Sequence, residues 1–230
     1  MMVNMKAVCI IPAFNEEKNI EEVVRRIKKV KSINDVIVID DGSKDKTAEI
    51  AKNAGAIVLR HKINKGKGET LKTGFNYILK KPDIKYIIVM DADLQFRPEE
   101  SEKLLKLLKN GKAEFVIGYR NFKKMPFRHL MGNLLWKNTF NFLFKTSFKD
   151  TNCGYFAILK DIIEVLEVKK GYVLENSILA SVVKNKIKFK QVNVSISYKK
   201  VSKFPRGVRI VLGVFLFILK EGLKYRLRMS

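Results

Sequence analysis

The chain has 230 residues, 47% of them hydrophobic, which is enough for the core of one domain and excludes an intrinsically disordered protein. Its 46 Lys and Arg against 23 Asp and Glu give a net charge of +23, which predicts an anionic partner without identifying it. Cys9 and Cys153 are too few for a disulfide framework, and the amino terminus lacks a signal-peptide pattern, so we expect a cytoplasmic protein.

Predicted strands and helices alternate along the chain. Short β-branched runs predict strands at 7–11, 36–39, 56–59, 86–90, 155–159 and 187–198. Helical periodicity predicts helices at 16–30, 44–54, 69–79, 128–144 and 174–184. Continuous apolar strands between amphipathic helices predict an α/β fold, with a mainly parallel sheet covered by helices on both faces. Ligands should then bind beyond the carboxyl ends of the strands.

The C-terminal segment carries much of the charge. Residues 184–230 contain 13 Lys or Arg and one acid, Glu221. The apolar run at 210–219 is shorter than the roughly 20 residues of a spanning helix, so we expect no transmembrane span. The segment 209–228 predicts an amphipathic helix in the interface of an anionic membrane, or alternatively a core helix with a solvated basic end. We predict one domain over 1–200 and a basic, apolar helical tail over 201–230.

Two polar motifs follow the first two predicted strands. In the segment from Pro12 to Glu16, Phe14 offers a stacking face and Glu16 could accept hydrogen bonds from a ribose or base. The alternative is a strand end followed by a helix cap at Asn15. In Asp40-Asp41-Gly42-Ser43, capping explains one carboxylate, and the other suits the amino or imide edge of a nucleobase.

Two further motifs follow the next two strands. The loop Asn64-Lys65-Gly66-Lys67-Gly68 opens a helix, where backbone N–H groups and lysines suit phosphate, although a solvated loop explains it equally well. Asp91 and Asp93 follow an apolar strand, where packing requires no pair of anions. With Gln95 as a neutral oxygen ligand, they predict a divalent cation held against a diphosphate.

The ordered motifs resemble those of glycosyltransferase family 2 enzymes with the Rossmann-like GT-A fold, most closely the dolichyl-phosphate and undecaprenyl-phosphate sugar transferases. The shared patterns are P-x-[YF]-N-E, D-D-G-S, N-x-G-x-G, D-A-D-L-Q and D-x-x-[SC]-G-[FY], in this order between Val8 and Tyr155. Phe96 and Arg97 stand where relatives commonly have His and Pro. The Q-x-x-R-W motif of processive family members is absent from the sequence, so we expect transfer of a single sugar.

The resemblance implies roles for individual residues. It implies nucleotide contacts for Pro12, Phe14, Glu16, Asp41, Lys67 and Ala92. It implies Mg²⁺ or Mn²⁺ at Asp91, Asp93 and Gln95, and catalytic roles for Asp91, Asp93, Asp150 and Arg120. It implies acceptor binding by Arg120, Arg128, Lys199, Lys200 and Lys203.

The implied reaction moves one sugar, with inversion, from a UDP- or GDP-linked donor to a polyprenyl (dolichyl) phosphate on the cytoplasmic membrane face. A lipid phosphate is already an anion and needs cations to bind it, which would account for the excess of Lys and Arg. A saccharide hydroxyl acceptor remains the alternative, and it would need a general base such as Asp150 or Glu175.

Two other classes of protein compete with this interpretation. Sugar-phosphate nucleotidyltransferases carry a G-x-G-T-R stretch after the first strand, where this chain has the segment from Pro12 to Glu16. A basic nucleic-acid-binding protein would share the charge but not the four strand-end motifs. We therefore expect no nucleic acid partner.

Overall fold

The computed structural model describes residues 5–122, 127–197 and 207–228, and within them one sheet has the strand order β3-β2-β1-β4-β6-β5-β7. The strands are β1 (Lys6–Ala13), β2 (Asp35–Asp40), β3 (Ile57–Arg60), β4 (Ile84–Val89), β5 (Phe115–Tyr119), β6 (Phe156–Leu159) and β7 (Phe189–Asn193). Neighbouring strands pair in parallel except around β6, which is antiparallel to both β4 and β5. The predicted α/β fold with a mainly parallel sheet is confirmed.

The helices lie largely where the periodicity predicts them. They are α1 (Ile20–Lys28), α2 (Thr47–Asn53), α3 (Lys67–Leu79), α4 (Ser101–Lys109), α5 (Phe127–Phe144), α6 (Leu174–Lys184) and α7 (Val208–Leu227). Helix α1 begins four residues later than predicted, because Asn15 has a left-handed backbone (φ 55°) that starts a turn rather than a helix. The predicted strand at 187–198 is too long: β7 ends at Asn193, and Ile196 forms only an isolated bridge to Phe96.

The core is built around the central strands. Val8, Cys9, Ile10 and Ile11 of β1 are all fully buried, although successive strand residues point to opposite faces. Both faces of the sheet are therefore covered, as expected for parallel strands between helices. On α1, the four apolar residues of the predicted stripe are the buried ones: Ile20, Val23, Val24 and Ile27.

Strand direction brings the polar motifs to one edge of the sheet. β1, β2, β4 and β5 all run in the same direction, so their carboxyl ends lie together. Because β6 is antiparallel, it begins at this edge, and the loop before it, residues 150–155, arrives there too. The polar loops after β1, β2, β4 and β5 and the loop before β6 therefore share one region.

Helix α7 packs on the body of the protein with one face. Its residues Val214 and Ile218 are buried, and Trp136 of α5 donates a hydrogen bond from Nε1 to the carbonyl of Val211 (3.1 Å). Lys184 at the end of α6 forms an ion pair with Glu221 of α7. Among the described helices, none combines the length and apolar character needed to cross a membrane.

Candidate active site

A cavity of about 400 Å³ opens at the carboxyl edge of the sheet, beside the first turn of α3. It is lined by Pro12, Ala13, Phe14, Glu16, Asp41, Asn64, Gly66, Lys67, Thr70, Asp91, Ala92 and Asp93. All six residues with an implied nucleotide contact are in this lining, together with both carboxylates of the D-x-D motif. We call this space the nucleotide cavity.

Asn15 ties the loop after β1 to the loop after β2. Its backbone N–H donates to Oγ of Ser43 (2.9 Å), and its side-chain Oδ1 accepts from the N–H of Lys44 (2.9 Å). The side chain therefore joins two loops instead of capping α1. Phe14, next to it, lines the cavity and stays 43% exposed, so part of its ring is accessible to a ligand.

The two carboxylates of the D-D-G-S motif have different environments. Asp40 is fully buried and forms an ion pair with Nε of Arg60 (2.8 Å), so it is the structural member. Asp41 lines the cavity, and it accepts hydrogen bonds from the backbone N–H groups of Lys65 (2.9 Å) and Gly66 (2.7 Å). Nδ1 of His61 lies 2.7 Å from Oδ1 of Asp41. Asp41 thus holds the Gly-rich loop against the cavity wall.

A second cavity of about 440 Å³ shares Gly66, Lys67, Asp91 and Asp93 with the first. The rest of its lining is Gln95, Phe96, Arg120, Asn152, Gly154, Gly171, Tyr172, Leu174 and Glu175. The predicted metal ligand Gln95 and the predicted acceptor residue Arg120 lie here. We call this space the acceptor cavity, after the predicted acceptor residue Arg120 in its lining.

An ion-pair cluster stands at the junction of the two cavities. Nζ of Lys67 lies 2.6 Å from Oδ1 of Asp91 and 3.2 Å from Oε1 of Glu175. Burial alone would lower the pKa of Lys67, but the two carboxylates outweigh it and raise that pKa overall. Gly154 is required here, because a Cβ atom at this position would lie 2.7 Å from Oδ2 of Asp91 and 2.8 Å from Nζ of Lys67.

Asp93 is left with more negative charge around it than positive. Burial raises its pKa most, and the nearby carboxylates of Asp91 and Glu16 raise it further, against the hydrogen bond from the backbone of Gln95. Such a concentration of hard oxygen donors fits a divalent cation. The described residues contain no group of three His, Cys, Asp or Glu arranged around a single ion. A Mg²⁺ or Mn²⁺ at Asp91 and Asp93 would therefore take its other ligands from Gln95, water and a diphosphate.

Arg120 and Asp150 form a buried, two-pronged ion pair. Nε and Nη2 of Arg120 donate to the two carboxylate oxygens of Asp150 at 2.6 and 3.0 Å, and Nη2 also donates to the carbonyl of Asn152 (2.9 Å). Asp150 is fully buried and does not line either cavity. Both carboxylate oxygens of Asp150 are engaged by Arg120, and the expected catalytic role of Asp150 stays a prediction. Asp150 is placed to position the guanidinium.

The remaining predicted acceptor residues are only partly described. Lys199, Lys200 and Lys203 lie outside the described residues, and of Arg128 only the backbone, in α5, is described. Phe96, where relatives commonly have His, is buried and packs against Tyr155 with a centroid distance of 5.2 Å. The hydroxyl of Tyr155 forms a hydrogen bond with Oγ of Ser101 (2.8 Å). Tyr155, the aromatic residue of the D-x-x-[SC]-G-[FY] motif, therefore helps to fix the loop before β6.

Sequence reasoning missed several residues of the two cavities. Thr70 and Tyr172 line them, but each is a common residue type outside any spacing that would single it out. Glu175 was expected only as a possible base, and its contact with Lys67 joins residues 108 positions apart. No local pattern in the sequence could have revealed that contact.

The sequence of this chain matches a family of glycosyltransferases. The Glycosyl transferase family 2 model matches residues 8–166, and the chain belongs to this family. The UDP-N-acetylglucosamine–dolichyl-phosphate N-acetylglucosaminyltransferase of Methanococcus voltae is 30% identical, over 93% of this chain and 95% of its own. The dolichol-phosphate mannosyltransferase of Pyrococcus furiosus is 33% identical, over 71% of this chain and 49% of its own.

A solved structure has the same fold at lower sequence identity. The glucosyl-3-phosphoglycerate synthase of Mycobacterium tuberculosis, in complex with Mn²⁺, UDP-glucose and phosphoglyceric acid, superposes with a TM-score of 0.75. It is 20% identical, and the match covers 95% of this chain and 80% of that one. This likeness establishes the GT-A type of fold.

Proposed function

We propose that the protein transfers one sugar, with inversion, from a UDP-linked donor to a polyprenyl (dolichyl) phosphate, using a divalent cation. The observation that carries the proposal is the junction of the two cavities. The carboxylates of Asp91 and Asp93 lie between a cavity lined by the nucleotide motifs and one that contains Arg120. A donor diphosphate in one cavity and an anionic acceptor in the other could therefore both reach the same two carboxylates.

The hydrogen bonds of Asp41 favour uracil over guanine as the donor base. A carboxylate has about four acceptor positions, and three on Asp41 are used by His61, Lys65 and Gly66. The one remaining position matches the single imide N–H of uracil. Guanine presents two adjacent donors on the equivalent edge, so one of them would be left without a partner. The name of the Methanococcus voltae relative, which specifies a UDP-linked sugar, supports the same choice.

The described residues divide the chemical work as follows. Phe14 offers a stacking surface for the base, while Lys67 and the start of α3 supply positive charge for the diphosphate. Asp91, Asp93 and Gln95 would hold the Mg²⁺ or Mn²⁺. When bound, that ion would neutralise the negative charge that develops on the leaving diphosphate.

The acceptor cavity favours a phosphate over a sugar hydroxyl. A hydroxyl needs a general base within hydrogen-bond reach, but Asp150 is occupied by Arg120 and Glu175 by Lys67. A phosphate monoester is already nucleophilic at neutral pH and needs only positive charge to hold it. Arg120, fixed by Asp150 and Asn152, supplies a positioned cation on this side.

The outer surface of α5 and α7 suits attachment to the cytoplasmic face of a membrane. Exposed apolar side chains recur on both packed helices: Met131, Leu135 and Phe142 on α5, and Leu212, Leu216, Leu223 and Leu227 on α7. Four exposed basic residues lie among the leucines of α7: Arg209, Lys220, Lys224 and Arg228. Apolar and basic side chains on one surface are typical of helices bound at an anionic lipid interface. We call these apolar residues the α5–α7 surface.

A transfer assay tests the proposed reaction. Purified protein is incubated with radiolabelled UDP-linked sugars, Mg²⁺ and either dolichyl phosphate or dolichol, and lipid-extractable label is counted. We expect transfer to dolichyl phosphate and none to dolichol. Transfer to saccharide hydroxyls instead, abolished in Glu175→Gln, would support the alternative acceptor and contradict this proposal.

Liposome sedimentation tests the membrane surface. Leu216→Glu with Leu223→Glu should reduce binding to phosphatidylserine-containing vesicles about fivefold or more, because both leucines would enter the lipid interface. Val165→Glu, a charge introduced at an exposed apolar residue elsewhere, is the matched control and should bind as the unmodified protein does. Equal binding by all variants, or a dimer that the paired substitution dissociates, would contradict a lipid partner.

A further inference from the structure

Lys67 occupies a position that the proposed cation needs. Its ammonium contacts Asp91 at 2.6 Å, and Asp91 is one of the two carboxylates that would bind Mg²⁺ or Mn²⁺. A divalent ion and an ammonium group repel each other at such distances. Asp91 therefore has two competing cationic partners: the divalent ion and Lys67 of the same chain.

Glu175 offers Lys67 a second partner without a large movement. Its Oε1 already lies 3.2 Å from the same ammonium, and its side chain is only 15% exposed. Gly154 lies close to both members of the Lys67–Asp91 pair, with room for no side chain there. The lysine side chain is flexible and its charge is compact, so a small shift exchanges one carboxylate for the other.

We infer that Lys67 is a resident counter-ion that neutralises Asp91 in the free enzyme and moves to Glu175 when the divalent cation binds. This inference rests on the proposed function, because it requires the cation to bind at Asp91. Glu175 is then a positioning residue: it acts on the cation site through Lys67 and holds no part of the donor. After the exchange Lys67 is paired with Glu175, and the two positive charges of the cation are matched by Asp91 and Asp93.

The exchange predicts opposite effects for two neutralising substitutions. Lys67→Gln removes the competitor, so Mn²⁺ should bind free enzyme about five- to tenfold more tightly. Glu175→Gln removes the alternative partner, so displaced Lys67 would have no carboxylate nearby and Mn²⁺ should bind about fivefold more weakly. If Glu175 acts through Lys67, its substitution should change Mn²⁺ affinity less than about twofold in the Lys67→Gln background.

Electron paramagnetic resonance of free Mn²⁺ measures these affinities directly. The full chain, both single variants and the double variant are titrated without nucleotide and again with saturating UDP. Lys65→Gln, in the same loop, and Glu69→Gln, on α3, are controls for a change of one nearby charge. Both controls should bind Mn²⁺ within about twofold of the unmodified protein if long-range charge contributes little.

Two results would overturn the exchange while leaving the proposed function intact. One is unchanged or weaker Mn²⁺ binding by Lys67→Gln. The other is an equal effect of Glu175→Gln on Mn²⁺ affinity in the unmodified and Lys67→Gln backgrounds, which would mean that the charge of Glu175 acts on the cation directly and not through Lys67. A different result would overturn the proposed function itself. If the unmodified protein binds no Mn²⁺ either with or without UDP, the cation site is wrong and the exchange falls with it.

Discussion

Individual carboxylates at the edge of the sheet differ sharply in what surrounds them. Asp40 and Asp150 are fully buried against arginine side chains, whereas Asp41 and Asp91 line the nucleotide cavity. A buried carboxylate paired with arginine serves the fold, because removing either partner leaves an uncompensated charge. Exposure to a cavity is what makes Asp91 available to a cation.

Asp150→Asn should destabilise the protein as well as lower its activity. The substitution leaves Arg120, only 10% exposed in its side chain, without its carboxylate, which we expect to cost about 3 kcal/mol of unfolding free energy. Urea denaturation measures this loss. Asp161→Asn, at an exposed carboxylate, is the control and should change stability by less than about 0.5 kcal/mol. Unchanged stability of Asp150→Asn would show that the ion pair is not structural.

Arg120→Lys should separate acceptor binding from donor binding. Lysine keeps the charge but cannot reproduce the two parallel hydrogen bonds to Asp150, so the cation should be less well fixed in the acceptor cavity. We expect KM for dolichyl phosphate to rise about tenfold, with the Kd of UDP unchanged. Steady-state kinetics and calorimetry measure the two quantities. A parallel weakening of UDP would place Arg120 on the donor side instead.

At the level of single residues, the sequence predicted many of the side chains that line the two cavities. Strand-end position alone marked Asp91, Asp93 and one of Asp40 and Asp41, because polar residues at the ends of apolar strands have no packing role. It could not decide between Asp40 and Asp41, since that depends on Arg60 from a different strand. The contact between Lys67 and Glu175 was equally out of reach, because it depends on where the fold places the first turn of α6 relative to that of α3.

Among the elements, β6 and α7 show what sequence periodicity cannot predict: the direction of a strand and the packing of a helix. A predicted strand at 155–159 agrees with β6, but its antiparallel direction follows from the path of the chain through α5. For α7, an apolar run predicted either a membrane-facing or a core helix. The helix has one face buried against the body, with Val214 and Ile218, and one exposed apolar face, with Leu216 and Leu223.

Glu221→Gln should reduce stability in a pH-dependent way. Burial alone would raise the pKa of Glu221, but the hydrogen bond and charge of Lys184, with Lys169 and Lys224, lower it overall. Because the folded-state pKa is below the usual value of about 4.3, the carboxylate stabilises the fold above that value. This contribution is lost as the pH falls through the folded-state pKa.

Urea denaturation at pH 7 and pH 3 measures the contribution of Glu221. We expect the unmodified protein to be about 1 kcal/mol more stable than Glu221→Gln at pH 7, and the difference to shrink at pH 3. A difference that is the same at both pH values would mean that Glu221 contributes through packing and not through its charge.

For the whole molecule, the distribution of basic charge and the exposed apolar side chains both fit the proposed attachment to an anionic membrane. The net charge of +23 is concentrated toward the C-terminal part of the chain, where α7 also exposes its leucines. Anchoring by the α5–α7 surface would hold the enzyme at an anionic membrane, where a lipid-linked phosphate is found. The α/β architecture followed from sequence pattern, whereas the pairing of α5 with α7 required the structure, because both helices are apolar on several sides.

The central claim is that nucleoside diphosphate binds at the D-x-D carboxylates together with a divalent cation. Isothermal titration calorimetry with UDP tests it most directly, with Mn²⁺ or with EDTA, on the unmodified protein and on Asp91→Asn with Asp93→Asn. Asp161→Asn is again the control, and GDP is the competing nucleotide. We predict binding of UDP with Mn²⁺, loss of that binding in EDTA and in the paired variant, and GDP binding at least about tenfold weaker. Equal UDP affinity with EDTA and in the folded paired variant would contradict the account.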